Sequence, residues 1–82
     1  MTFNDLAPQE RTVVRHLNDT GSITRMEADT MHRIRHLPTR IFNLKRAGFK
    51  IASSFRKDVN GQRYVRYLLQ EMPNWATRRV AS

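Results

Sequence analysis

Between residues 8 and 20 the apolar side chains fall at helical spacing, with Val13, Val14 and Leu17 on one stripe. Pro8 suits a first turn, Glu10 lies near the positive end of the dipole, and Gly21 marks a stop, so a helix is predicted over residues 8–19. Gly21-Ser22-Ile23 reads as a turn into one or two extended residues. Thr24 then stands three residues ahead of Glu27, the spacing of a capping box, and Ile23 can pack on Ala28 across that cap. The second helix should be short, residues 25–31, because Ala28 and Met31 are its only apolar candidates for an inner side. His32-Arg33-Ile34 is the predicted turn. From about Arg35 a third helix carries Leu37, Ile41 and Leu44 at i, i+4 and i+7, and Gly48 can close it. Pro38 is tolerated only in a first turn, so this helix begins no earlier than about Arg35.

After Gly48 the period changes to two, with Phe49, Ile51, Ser53 and Phe55 on one face and Lys50, Ala52, Ser54 and Arg56 on the other. Asn60-Gly61 signals a hairpin. A two-residue turn would pair 59 with 62 and set Ile51 and Phe55 opposite in facing to Val65, Tyr67 and Leu69. A three-residue loop, Val59-Asn60-Gly61 with a left-handed Gly61 and a bulge, pairs 58 with 62 and unites the two apolar sets; this register is expected. Pro73 breaks the second strand, and Trp75 lies in an aperiodic stretch, where it either plugs the core, makes a dimer contact or stays mobile. Residues 1–70 thus form one domain and residues 71–82 a tail, packed or mobile. Three helices followed by a hairpin, with a tight connection between the second and third helix, give an α+β fold class, a winged helix-turn-helix with the hairpin as wing.

A chain of 82 residues supports one domain with a thin core, because a domain of this size buries only about 60% of its unfolded surface. A deep cleft with several converging catalytic groups needs more scaffold, so an enzyme is not expected. Lys and Arg outnumber Asp and Glu by 15 to 7, a formal charge of +8, which points to a polyanionic partner. There is no cysteine, which excludes disulfides and thiolate metal sites and fits a reducing compartment. No apolar run approaches the ~20 residues of a membrane span, and the first residues lack a secretory pattern. The expected location is cytoplasmic, that of the host cell if a phage encodes the chain, with no membrane partner.

With Leu37, Ile41 and Leu44 inward, the opposite side of the third helix presents Arg35, Thr39, Asn43 and Arg46, with Phe42 between the faces. Arg can fork onto guanine O6 and N7, Asn onto adenine, and Thr can touch a thymine methyl or a backbone oxygen. A charged helix face is often only solvated. Here Arg33, Arg35, Arg40, Lys45, Arg46, Lys50, Arg56 and Lys57 follow one another with no acidic residue among them, a bias that solubility alone does not require. Arg40 falls on the flank of the apolar stripe and is expected to pair with a carboxylate of the first or second helix. Arg56, Lys57, Gln62 and Arg63 charge the hairpin tip for a phosphate backbone or a minor groove, and Asp58 can pair with Arg63. The candidate DNA-binding set is therefore Arg35, His36, Thr39, Asn43, Arg46, Lys50, Arg56, Lys57 and Arg63. His16, His32 and His36 do not have the spacing of a metal site on this prediction, since His32 falls in the turn, and no metal or other cofactor is expected. No Ser/His/Asp arrangement, paired-carboxylate site or Gly-rich phosphate loop is present.

Gly21-Ser22-Ile23-Thr24 with Glu27-Ala28, Leu37 with Arg40-Ile41 and Asn43-Leu44, Gly48 with Ile51, and Asn60-Gly61 with Arg66-Tyr67 and Leu69 resemble the small winged helix-turn-helix domains frequent in bacteriophages and prophages. Pro38 departs from the usual small helix former there, and Met31-His32-Arg33 replaces an inward Tyr or Gly. The resemblance implies a DNA-binding fold in a mobile element. The expected function is that of a phage or prophage regulator on double-stranded DNA. A lone module of this size contacts few bases, so it should form a homodimer or bind weakly. The alternative is a module that binds a host protein, an enzyme or defence complex, with Phe42, Trp75 and the exposed side of Tyr64 as anchors. Double-stranded RNA is disfavoured, because its narrow major groove does not admit a helix.

Overall fold

Val13, Val14 and Leu17 are fully buried on the first helix, α1 (Pro8–Thr20), which Gly21 closes in a left-handed conformation. The computed structural model describes residues 2–76. Ahead of α1 a 3-10 turn, Phe3–Asp5, folds Phe3 and Leu6 into the same core, contacts that carry no periodic signal in the sequence. After α1 come β1 (Ser22–Thr24), α2 (Arg25–His32), α3 (Leu37–Arg46), β2 (Lys50–Lys57) and β3 (Arg63–Glu71). The three strands make one antiparallel sheet in the order β1-β3-β2.

The capping box forms as expected. Thr24 Oγ1 accepts from the Glu27 N–H at 3.1 Å, and Glu27 Oε1 accepts from the Thr24 N–H at 2.9 Å. Ile23 and Ala28 are buried on either side of that cap. Met31 does not point inward: it is 62% exposed, and Ile34 fills the place expected of it. The chain turns inward because Arg33 adopts φ 57°, the one positive φ outside glycine among the described residues. The Arg33 N–H then reaches the Asp29 carbonyl, the bond of an αL closure, and the Ile34 N–H reaches the Ala28 carbonyl, both at 3.0 Å.

Helix α3 starts at Leu37, two residues later than Arg35. Pro38 lies in its first turn, where a missing N–H leaves no ladder bond unmade. Leu37, Ile41 and Leu44 are buried, as their spacing requires.

The hairpin takes the bulged register. Asp58 N–H bonds the Gln62 carbonyl at 2.9 Å, Lys57 pairs with Arg63, and Phe55, Ser53 and Ile51 stand across from Val65, Tyr67 and Leu69. Gly61, at φ 80°, supplies the left-handed residue that this loop needs. Ile51 and Tyr67 reach the core, whereas Phe55 is 83% exposed because the hairpin runs on beyond the helices. β1 is a full sheet member: Ser22, Ile23 and Thr24 pair with Leu68, Tyr67 and Arg66. Trp75 packs edge-on against Phe49, ring centroids 5.7 Å apart, and Ala76 is buried. Residues 77–82 of the tail lie outside the described residues. No described helix is long and apolar enough to cross a membrane.

Candidate nucleic-acid interface

An open groove of about 1010 Å³ separates the hairpin from the start of α2 and α3. Arg25, Met26 and Asp29 of α2 line one side together with Arg35 and Pro38; Gln62, Arg63, Tyr64 and Val65 line the other. β1 creates this groove. It pairs only as far as Thr24 with Arg66, so residues 63–65 continue past it with a free edge above the first turn of α2.

The predicted residues on α3 and its entry divide into three groups. Thr39 and Arg46 sit on the outer side of α3, exposed. Arg35 and His36 are exposed too but do not belong to the helix: they form the connection that enters it, with His36 at the cap position. Asn43 is the correction. It is half-buried and its amide donates to Glu10 Oε2 at 3.0 Å, so α1 holds it and it does not stand free on the outer face.

Glu10 is the hub of this contact. Its side chain is only 10% exposed and accepts from Arg40 Nη1 at 3.0 Å as well as from Asn43, while Oε1 takes the Ala7 N–H at 3.4 Å. Arg40 is thereby the structural residue expected from its flank position, although its Nε is buried without a partner. Sequence reasoning missed Glu10. The signal was there, since Glu10 precedes Val13, Val14 and Leu17 by three, four and seven residues and so shares their stripe.

On the hairpin, Arg56, Lys57 and Arg63 are exposed. Asp58 does not pair with Arg63. Its Oδ1 accepts from the Asn60 and Gln62 N–H groups at 2.8 and 3.0 Å, because a carboxylate at the head of the loop can satisfy backbone donors that the turn leaves open. Lys50 is the exception among the basic residues of the predicted set, with Nζ 3.3 Å from Glu71 Oε2 across the strand pair. Among the described residues, Arg35, Arg46, Arg56, Lys57 and Arg63 have no carboxylate partner. The three glutamates are engaged elsewhere, with Arg40, Arg66 and Lys50.

A second polar network ties the sheet to the helices. Arg66 Nη1 donates to Ser22 Oγ at 3.0 Å and to Glu27 Oε1 at 3.3 Å. Buried His16 is bonded through Nδ1 to His32 Nε2 at 3.0 Å, and its Nε2 lies 3.8 Å from Glu27. His36 is not part of this cluster, and the described residues contain no group of three or more His, Asp or Glu side chains placed to hold a metal ion.

A family model described as a winged helix-turn-helix domain matches residues 8–72. No curated protein and no solved structure matches the chain.

Proposed function

The chain belongs to the winged helix-turn-helix family, a DNA-binding fold that is typically non-enzymatic, and from this premise we propose that it is a phage or prophage transcriptional regulator acting on double-stranded DNA. Helix α3 enters a major groove and the hairpin wing lies on the adjoining backbone or minor groove. A helix is roughly 10–12 Å across and the groove about 12 Å wide, so α3 fits with its outer side against the base edges. Arg35 and His36 sit where the chain enters α3, Thr39 and Arg46 lie along its exposed side, and Arg56, Lys57 and Arg63 reach phosphates from the wing.

The observation that carries this reading is the absence, among the described residues, of carboxylate partners for Arg35 and Arg46 on α3 and its entry and for Arg56, Lys57 and Arg63 on the hairpin, with Arg35 and Arg63 on the two sides of one groove. Unneutralised cations on one small domain repel in the free protein, and a polyanion relieves that repulsion. The host-protein alternative is weaker, because Trp75, one of its three anchors, is occupied by Phe49.

Electrophoretic mobility shifts across a salt series test the proposal. Affinity for duplex DNA should fall steeply as salt rises, with a logarithmic slope near about −0.9 per phosphate neutralised. Undetectable binding at low salt, or binding that salt leaves unchanged, contradicts it. Selection of bound duplexes from a random library then gives the operator, and a palindrome marks a homodimer.

A further inference from the structure

The outer side of α3 carries an aromatic ring where a polar base reader was expected. Phe42 is 58% exposed, although α3 has buried room only for Leu37, Ile41 and Leu44. At 100° per residue Phe42 stands beside Thr39 and Arg46, one turn away in each direction, on a common stripe. The Arg46 guanidinium lies over the ring, 5.8 Å from its centroid, a cation–π contact that sets a positive charge beside it. Asn43, the residue equipped to fork onto adenine, is turned to Glu10. Alongside the exposed Pro38 and Lys45, α3 therefore offers outward a ring, a threonine and a guanidinium.

We propose that Phe42, with Thr39, reads thymine through its 5-methyl group in the major groove, and that Phe42 is a specificity-determining residue of this protein. The inference rests on the reading of α3 as the groove-entering helix. An apolar side chain at a base edge finds one apolar group there, the thymine methyl, since every other major-groove edge presents donors and acceptors. Phe42 has no such hydrogen-bonding capacity, so a site of polar edges would leave it unpaired with anything. The surrounding cations fit the same occupant: Arg46 beside the ring has no carboxylate partner among the described residues, and a duplex supplies the opposing charge.

The test uses the whole chain and duplexes selected from a random library. Each thymine in the selected site is replaced singly by deoxyuridine, which removes the methyl and keeps every hydrogen-bonding group. Affinity should drop about fourfold at one or two positions, the worth of one buried methyl. Phe42→Ala should abolish that drop while leaving the slope with salt unchanged, and Phe42→Leu, still apolar, should retain part of it. Circular dichroism of both variants controls for folding. If the duplex binds but tolerates deoxyuridine everywhere, or if Phe42→Ala keeps the full drop, the thymine assignment is overturned and the DNA-binding reading stands. If no duplex binds, both are overturned. A Phe42→Ala chain that changes from dimer to monomer in sedimentation, with no response to deoxyuridine, assigns the ring to self-association and overturns the proposal.

Discussion

Asn43 reaches back to Glu10, its amide 3.0 Å from the Glu10 carboxylate that Arg40 also meets at 3.0 Å. Two donors of α3 thus converge on one acceptor of α1 and tie the flank of α3 to that helix. Glu10→Ala should lower stability by about 2 kcal/mol, less than for a fully enclosed pair because the Arg40 side chain keeps 27% of its exposure. Urea unfolding reads this as a lower midpoint at constant slope. Glu10→Gln keeps one acceptor oxygen, enough for Asn43 or for the Ala7 N–H but not for both, and should still lose less than Glu10→Ala.

The basic residues should not be equivalent. Arg56→Ala, Lys57→Ala and Arg63→Ala are each expected to reduce the slope of log affinity against log salt by about 1, because each variant leaves one phosphate with its own counterion. Lys50→Ala should leave the slope near its original value, since Lys50 is already matched by Glu71. The stability change at Lys50 should stay below about 0.5 kcal/mol, as both partners of that ion pair are largely exposed. Salt titrations of the four variants on one duplex separate them.

Arg33 holds a backbone conformation that glycine adopts without penalty. A left-handed non-glycine residue costs roughly 1–2 kcal/mol, and glycine returns about 0.5–1 of this through its greater freedom when unfolded. Arg33→Gly should therefore raise stability by about 0.5 kcal/mol, a few degrees in the thermal midpoint of a domain this small. A fall in the midpoint would show that the Arg33 side chain stabilises the turn by more than the backbone strain it carries.

Trp75 is the only tryptophan, so its fluorescence reports the packing of the segment that follows β3. Gly48 sits at φ 110°, and a Cβ there would come within 3.4 Å of the Pro73 ring. Gly48→Ala should cost about 1–2 kcal/mol from the backbone alone and shift Trp75 emission to the red as its packing on Phe49 loosens. Emission that stays unchanged in a destabilised Gly48→Ala protein would uncouple Trp75 from this turn.

Much of the frame is written locally. The Thr24–Glu27 cap, the left-handed glycine of the hairpin and the 58-with-62 register each depend on residues within a few positions of one another, and all three form. The rest depends on distant neighbours. Three residues are too few for β1 to show alternation, and only β3, more than forty positions on, makes them a strand. Met31 and Ile34 were exchangeable on pattern alone, because the left-handed step at Arg33 decides which enters the core. Likewise Asn43 and Phe42 flank the same outer side of α3. Which of them is withdrawn follows from the flank against which α1 packs, a fact that no periodicity within α3 contains.

Arg66 fastens β3 to both Ser22 and Glu27, so the strand that becomes the wing and the helix that precedes α3 are clamped at a single guanidinium. A molecule built this way behaves as a caliper with locked jaws. On the proposed binding mode this clamp holds the interval between the base pairs under α3 and the phosphates under the wing, so a target lengthened by one base pair between them should be met only by its own deformation.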